Sequence, residues 1–338
     1  MAVQWIRAEP LGRGAFATVN VAIPIKDKYN PKYPPIMAVK TSPVSHSDTL
    51  KKEMEILSEL GGCSEVIRSF GDDITSEDGQ ELYNLFLEYA SEGTIADLLW
   101  SCGGTLEVEY VRECAKSVLK GLSYMHDKGI VHGDIKLENI LIFEDGSFKI
   151  ADFGLATRLS DEQEKKYSLQ GTPLYMSPEL LVTGKAGFPA DIWSLGCLVL
   201  NLVTGKPAWE FSLRANIATV IYRIGMCNES PEIPSDLSNE VKDFLGKCFI
   251  RDPNKRWTAK MLLDHPFMSE FENCGGEKLS QDDKNCFSPK GKLERDSECG
   301  ISSLSLDPTS GLDCRQKMMN EESRKPNWCH GGGLIGAC

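Results

Sequence analysis

The chain has 338 residues, of which 41% are hydrophobic and 25% are charged, and its formal net charge at pH 7 is −12. This length allows one large domain or one domain with two lobes, and the composition is ordinary for a globular protein. A net acidic chain lacks the basic face that a nucleic-acid partner needs, and charge alone would not hold it on an anionic membrane. We therefore expect no nucleic-acid partner.

The sequence also argues against a membrane or secreted protein. It has no run of roughly 18 apolar residues, so we expect no membrane insertion. Its start has neither the pattern of a secretory signal nor a glycine for myristoylation, and Cys338 is not placed for prenylation. We therefore expect a cytoplasmic protein, a nuclear protein or one found in both compartments, with its twelve cysteines as free thiols.

The first part of the chain is predicted to be rich in strands. Residues 11–23 have the pattern of two strands around a glycine turn, and residues 36–40 have that of a short apolar strand. The four prolines of residues 24–35 indicate an exposed connection. Apolar residues at helical spacing predict a helix over residues 48–60, and residues 82–89 are typical of a buried strand.

The second part is predicted to be helical. An amphipathic helix is expected over residues 107–126, and residues 192–203 are apolar nearly all round, which is typical of a helix inside a larger lobe. From Ser269 onward the sequence is polar and has no sustained period, which favours a low-order tail over a second domain. Its six cysteines never form a C-x-x-C pair, so they are interpreted as incidental thiols and not as zinc ligands.

The most informative motif is a polar loop that follows the predicted helix of residues 107–126. It is His132-Gly133-Asp134-Ile135-Lys136-Leu137-Glu138-Asn139, followed by Asp152-Phe153-Gly154. Asp134 is placed to accept or orient a hydroxyl proton, and Lys136 would neutralise charge on a transferring phosphoryl group. Asn139 and Asp152 offer the oxygen ligands that Mg²⁺ prefers. His132 is interpreted as structural, packing under Phe153.

A glycine-rich turn and a lysine precede this loop in the sequence. The turn is Gly12-Arg13-Gly14-Ala15-Phe16-Ala17-Thr18-Val19, whose backbone N–H groups could close over phosphates. Lys40 ends the apolar segment Ala38-Val39-Lys40, and the predicted helix that follows contains two glutamates. Glu53 is the favoured ion-pair partner of Lys40, and Glu55 is the alternative. Such a pair would hold the ammonium against the α- and β-phosphates.

The segment from Leu85 to Gly93 is predicted to run from a strand into a linker between the lobes. Backbone groups around Glu88 and Ala90 would be free to bond an adenine edge, with Leu87 at the back of that pocket. An ordinary buried strand is the alternative interpretation of this segment.

The region from Asp152-Phe153-Gly154 to Ser177-Pro178-Glu179 is rich in hydroxyl side chains. They are Thr157, Ser160, Tyr167, Ser168 and Thr172. Glu179 has a plausible buried partner in Arg256, because a buried carboxylate needs one. Asp191 begins the motif Asp191-Ile192-Trp193, where it could cap the N-terminus of the apolar helix and brace the polar loop.

In order and spacing, these motifs resemble the eukaryotic protein kinases from about residue 5 to residue 267. Lys136 and the turn Gly171-Thr172-Pro173 are typical of Ser/Thr kinases. Finer segments, such as Asn84 to Ala90, Ala190 to Cys197 and Asp252 to Ala259, are similar to plant mitogen-activated protein kinase kinase kinases of the MEKK-like group. The resemblance implies an α+β, bilobal fold, with a kinase domain over residues 5–268 and a low-order tail over residues 269–338. The lobes would span about 5–88 and 92–268.

The resemblance also implies a function and a site. It implies transfer of the γ-phosphate of ATP, with Mg²⁺, to Ser or Thr of MAP kinase kinases in stress or hormone signalling, under possible upstream regulators. The catalytic residues would be Asp134, Lys136 and Lys40, and the metal ligands Asn139 and Asp152. The ATP pocket would be formed by Leu11, Gly12, Arg13, Gly14, Ala15, Val19, Ala38, Lys40, Glu88, Ala90 and Leu141. Structural or regulatory roles would fall to Glu53, Phe153, Gly154, Gly133, Thr172, Glu179, Arg256 and Asp191.

One departure from the pattern, at Gly133, bears on regulation. Gly133 stands where many of these kinases have an arginine that contacts a phosphorylated activation segment through two hydrogen bonds. Glycine has no side chain to make that contact, so we expect activity to depend only weakly on phosphorylation in the segment. Two other functions stay open, a kinase of the same fold acting in another pathway and an inactive scaffold.

Overall fold

An antiparallel sheet of five strands forms the first part of the chain, in the spatial order β1-β2-β3-β5-β4. The structure, a computed structural model, describes residues 4–14, 17–25, 33–160, 170–210 and 216–269. The strands are β1 (Trp5–Arg13), β2 (Thr18–Pro24), β3 (Met37–Pro43), β4 (Ser69–Glu77) and β5 (Gln80–Leu87). Helix α1 (Asp48–Glu59) packs on the sheet through the apolar residues at its helical spacing, Leu50, Ile56 and Leu57.

Most of β3 and the second half of β5 are buried on both faces of the sheet. On β5, Leu85, Phe86 and Leu87 are all buried, with Phe86 in a small cluster on the face that Trp5 covers. β3 continues to Pro43, so Lys40 lies inside the strand, and the prediction that the strand ends at this lysine is wrong. β4 was not predicted, because charged and polar residues dominate its sequence.

The second part of the chain is mainly helical, as predicted. Its helices are α2 (Ile95–Ser101), α3 (Val108–Asp127), α4 (Pro178–Thr183), α5 (Phe188–Thr204), α6 (Ile217–Gly225), α7 (Asn239–Cys248) and α8 (Ala259–Leu263). The apolar sequence of α5 places it in the core, where Trp193, Leu195 and Leu198 are fully buried. The predicted fold class, a strand-rich first lobe followed by a helical lobe, is confirmed.

Two small antiparallel sheets of two strands each lie on either side of the polar loop in the chain and position it. The pairs are β6 (Ile130–Val131) with β9 (Thr157–Arg158), and β7 (Ile140–Ile142) with β8 (Phe148–Ile150). The polar loop joins β6 to β7, and β8 leads directly to Asp152. The two small sheets therefore bring both polar motifs to the same region.

Some predictions fall on residues outside the described ranges. They include Ala15 in the glycine-rich turn, most of the proline-rich connection, and the tail from residue 270 with its six cysteines. Within the described ranges, no helix has both the length and the apolar character needed to cross a bilayer.

Candidate active site

Lys40 joins two elements that are distant in the sequence. Its Nζ atom lies 2.6 Å from Oε2 of Glu53 on α1 and 2.8 Å from Oδ1 of Asp152 after β8. The Glu53 side chain is 1% exposed, whereas the alternative partner, Glu55, is exposed. Glu53 also accepts a hydrogen bond from the backbone N–H of Phe153 at 3.1 Å. The ion pair of Lys40 with Glu53 is therefore present, and it ties α1 to the Asp152 loop.

The three charges shift one another's pKa. Burial by itself disfavours the Lys40 ammonium, but the carboxylates of Glu53 and Asp152 outweigh it, so the pKa of Lys40 is raised. Burial raises the pKa of Glu53 despite the nearby ammonium. Burial would also raise the pKa of Asp152, but the charge and hydrogen bond of Lys40 hold it at about 2. Lys40 and Asp152 are therefore both charged at neutral pH.

Asp134 lies at the centre of the polar loop and is held by three neighbours. Oδ2 of Asp134 lies 2.6 Å from Nζ of Lys136 and accepts from Nδ2 of Asn139 at 3.1 Å. Oδ1 accepts from the backbone N–H of Thr172 at 3.2 Å. The Lys136 ammonium in turn donates to the Thr172 hydroxyl at 3.1 Å. A carboxylate, an ammonium and a hydroxyl therefore meet at one point, which is the arrangement that a hydroxyl-phosphorylating site requires.

Asp191 braces the loop from below. Its carboxylate accepts from the backbone N–H of His132 at 3.0 Å and from that of Gly133 at 2.9 Å. Ring nitrogen Nε2 of His126, which the sequence analysis did not single out, lies 2.9 Å from the same carboxylate. The predicted cap is wrong, because α5 begins at Phe188 and its N-cap position is Gly187, without a side-chain cap. Asp191 is in the first turn, from where its side chain reaches the loop.

His132 and Gly133 have different structural reasons for their positions. The His132 ring packs edge-on against Phe153 with centroids 4.9 Å apart, as predicted for a structural histidine. Gly133 has a φ of +78°, in the left-handed region that side chains disfavour. A Cβ atom there would lie 3.4 Å from the carbonyl oxygen of Leu155. The loop therefore passes close under the start of the activation segment, residues 152–179.

The oxygens of Asn139 and Asp152 fit a hard cation. Both hydrogen bonds from Nδ2 of Asn139 go to Asp134, to its backbone oxygen at 2.8 Å and to Oδ2 at 3.1 Å. Among the described residues, the Asn139 carboxamide oxygen and Oδ2 of Asp152 have no hydrogen-bond partner. An amide oxygen and a charged carboxylate oxygen are the donor types that Mg²⁺ prefers.

The residues predicted to form a nucleotide pocket lie on the sheet, after β5 and on β7. In register, Ala38 of β3 faces Leu87 of β5, and Val19 of β2 faces Lys40. Leu141 is half-buried on β7 below them. At the glycine-rich turn, four consecutive residues are exposed: Leu11, Gly12, Arg13 and Gly14. In the part of the chain described by the structure, the backbone carbonyl of Glu88 accepts no hydrogen bond and the N–H of Ala90 donates none.

Glu179 and Arg256 form a buried ion pair, as the sequence suggested. Nη1 and Nη2 of Arg256 lie 2.6 and 3.0 Å from the two carboxylate oxygens. The guanidinium also donates to three backbone carbonyls, those of Pro189, Ile250 and Arg251. This pair therefore joins α4, α5 and the segment before α8.

Comparison with known proteins shows the family to which the chain belongs. The family model described as "protein kinase domain" matches residues 5–268. Mitogen-activated protein kinase kinase kinase 20 of Arabidopsis thaliana is 41% identical over 344 residues, covering 98% of this chain and 99% of that protein. Mitogen-activated protein kinase kinase kinase 17 of the same plant is 42% identical over 269 residues, covering 79% of this chain and 70% of that protein.

The fold, the grouped polar side chains and the family match all lead to one assignment. The same family is reached from a third relative, mitogen-activated protein kinase kinase kinase 18 of Arabidopsis thaliana, which is 39% identical over 276 residues, or 80% of this chain and 79% of that protein. The chain therefore belongs to the protein kinase family, as a relative of the plant mitogen-activated protein kinase kinase kinases.

Proposed function

We propose that the protein is a serine/threonine kinase that transfers the γ-phosphate of MgATP to a MAP kinase kinase. The observation that supports this proposal best is the meeting of Asp134, Lys136 and Thr172 beside the ion-paired Lys40 and Asp152. Protein kinases use ATP, and these groups are what its triphosphate and an incoming hydroxyl need on their two sides. We keep the prediction of a cytoplasmic or nuclear protein as part of this proposal.

Each residue of the site has a proposed task. The carboxylate of Asp134 is held in place by the Thr172 N–H and the Asn139 amide, and from there it would orient the substrate hydroxyl and accept its proton. Lys136 neutralises charge on the γ-phosphoryl oxygens, and Lys40 contacts the α- and β-phosphates. Asn139 and Asp152 would hold Mg²⁺, which supplies charge neutralisation on the phosphates.

The proposed preference for hydroxyls of Ser and Thr rests on the second contact of Lys136. Its ammonium bonds both Asp134 and the Thr172 hydroxyl. This bond holds the turn of residues 171–173 close to the catalytic carboxylate, so a short side chain suffices to reach it. A tyrosine hydroxyl projects several ångströms further from its backbone.

A direct assay tests the proposed substrate. With MgATP, the full chain is expected to phosphorylate a purified MAP kinase kinase on activation-segment Ser or Thr about tenfold faster than a generic basic protein, because a matched protein surface adds to the binding. Radiolabelled phosphate incorporation and site mapping measure this. The matched control is the same substrate with those hydroxyl residues replaced by alanine, which should not be labelled. A preference for the basic protein would instead favour a kinase of another pathway.

The glycine in the polar loop leads to a second expectation. We expect each of three single variants, Thr157→Ala, Ser160→Ala and Ser168→Ala, to retain at least about half of the wild-type kcat. The reason is that Gly133 has no guanidinium to bind a phosphate at these positions. Ser168 lies outside the described residues. Thr172→Ala should lower kcat about tenfold, because its hydroxyl bonds Lys136, and Thr172→Ser should restore it.

Steady-state rates of the four alanine variants, each compared with an acidic replacement at the same position, check this expectation. A complete loss of activity at one position, restored by aspartate or glutamate there, would show that a phosphate at that position switches the enzyme on. That result would contradict the weak dependence on phosphorylation.

A further inference from the structure

Glu88 follows β5 and begins the linker, the segment proposed to join the two lobes. It is held from two sides. Both of its carboxylate oxygens accept from Nζ of Lys149 on β8, at 2.8 and 2.9 Å. Oε2 also accepts from the backbone N–H of Arg68 at 3.0 Å, and the N–H of Glu88 donates to the Arg68 carbonyl at 2.9 Å. Glu88 is therefore tied to β8 by its side chain, and to the segment before β4 by both its side chain and its backbone.

The sequence of β8 explains why Lys149 reaches this position. Its neighbours Phe148 and Ile150 are 4% and 0% exposed, so the alternation of the strand places Lys149 on the opposite face. There its ammonium also lies 4.5 Å from the centroid of the Phe143 ring, which stabilises the extended side chain. In register Lys149 is paired with Leu141, one of the residues predicted to form the ATP pocket.

The ion pair is screened from solvent more than most surface pairs. The side chains of Lys149 and Glu88 are 17% and 23% exposed. A partly buried pair with two short contacts restrains its residues more than an exposed pair, whose net stabilisation is small. β8 continues into Asp152, so the pair also couples the linker to the strand that precedes the proposed metal site.

The remaining polar groups of the linker are the ones that a base would meet. The N–H and the carboxylate of Glu88 are used inside the protein, while its carbonyl and the N–H of Ala90 have no partner in the described part of the chain. Adenine presents an amino donor beside a ring-nitrogen acceptor. Guanine presents a carbonyl beside an N–H, the reverse order, and a rigid linker therefore discriminates against it.

We propose that Lys149 is a positioning residue that holds the Glu88 backbone and thereby sets the preference of the site for ATP over GTP. The proposal rests on the proposed kinase function, because it assigns the base of the nucleotide to the linker. Lys149 does not contact the base. It acts on the peptide between Glu88 and Tyr89. By holding Glu88, it prevents this peptide from turning to place the Tyr89 N–H where the Glu88 carbonyl stands, which is the change that guanine requires.

Kinetics with the two nucleotides test the proposal in the full chain. Lys149→Met is expected to raise the KM for ATP about tenfold, to change kcat less than twofold, and to raise the ratio of kcat/KM for GTP to that for ATP about tenfold. Lys149→Arg retains the cation and should restore both quantities. Glu88→Gln keeps the backbone and the side-chain shape, and it should show the same shift in selectivity even if Lys149→Met does not fold.

A matched control is Lys260→Met, which removes a lysine paired with Asp127 on the surface, 65% exposed and remote from the linker. It is expected to leave both KM values unchanged. Equal losses with ATP and GTP, or a fall in kcat alone, would overturn the proposal. A wild-type chain that fails to turn over ATP at all would contradict the proposed kinase function, whereas an active wild type with unaltered selectivity in Lys149→Met and Glu88→Gln contradicts this inference alone.

Discussion

Asp134→Asn is expected to lower kcat for phosphoryl transfer about 100- to 10,000-fold, the usual contribution of a positioned general base. Asparagine has nearly the same shape, but it cannot accept the proton of the substrate hydroxyl. Its amide NH₂ would also face the donors of Lys136 and Asn139, which now lie 2.6 and 3.1 Å from Oδ2. The affinity for ATP should change little, because Asp134 is not in the proposed nucleotide pocket.

Single-turnover phosphate transfer and nucleotide binding, measured on the same preparations, check this result. The matched control is Asp127→Asn, the same chemical change at a carboxylate 56% exposed to solvent and paired with Lys260. It should retain wild-type kcat. If wild type and Asp134→Asn turn over ATP at the same low rate, the alternative of an inactive scaffold is favoured instead.

Arg256→Met is expected to have the largest effect on stability, lowering the free energy of unfolding by about 3–5 kcal/mol, the usual cost of breaking a buried pair from one side. The Arg256 side chain is fully buried, and its five N–H donors are all used. Methionine fills similar volume but removes the donors that Arg256 supplies to the Glu179 carboxylate and to three backbone carbonyls.

Urea denaturation of wild type and variant measures this difference. Lys206→Met, which breaks an ion pair whose side chains are 72% and 74% exposed, is the control and should change the free energy of unfolding by less than about 1 kcal/mol. Adding Glu179→Leu to Arg256→Met should recover part of the loss, because it removes the unpaired charge. A loss below about 1 kcal/mol in Arg256→Met would show that the pair is not required for the stability of this lobe.

Local pattern was enough to predict the helices that have a strong apolar repeat. The apolar spacing of residues 48–60 and 107–126 predicted α1 and α3 to within a few residues, because the buried face of a helix repeats along the sequence. β4 was missed, since its charged side chains follow no apolar alternation and its pairing with β5 depends on the neighbouring strand. The strand propensity of the residues in β4 does not indicate that pairing.

For the site as well, the sequence indicated which residues matter but not which partners they contact. The choice between Glu53 and Glu55 was open in the sequence, and it was decided by which face of α1 packs on the sheet. Asp191 was expected to cap a helix, but the helix begins earlier, and its carboxylate bonds the polar loop instead. In both cases the residue type was correctly singled out, and its partner depended on how two elements pack.

The sequence by itself was enough to place the chain in the protein kinase family and to single out the residues of the proposed chemistry. The spacing of Asp134, Lys136, Asn139 and Asp152 is specific because few reactions need those groups in that order, and the glycine at 133 was visible there too. Only the tertiary structure decided which side chains meet. The pair of Glu88 with Lys149 joins residues 61 positions apart through the docking of β8 against the linker, and no local pattern contains a contact that depends on the packing of two separate elements.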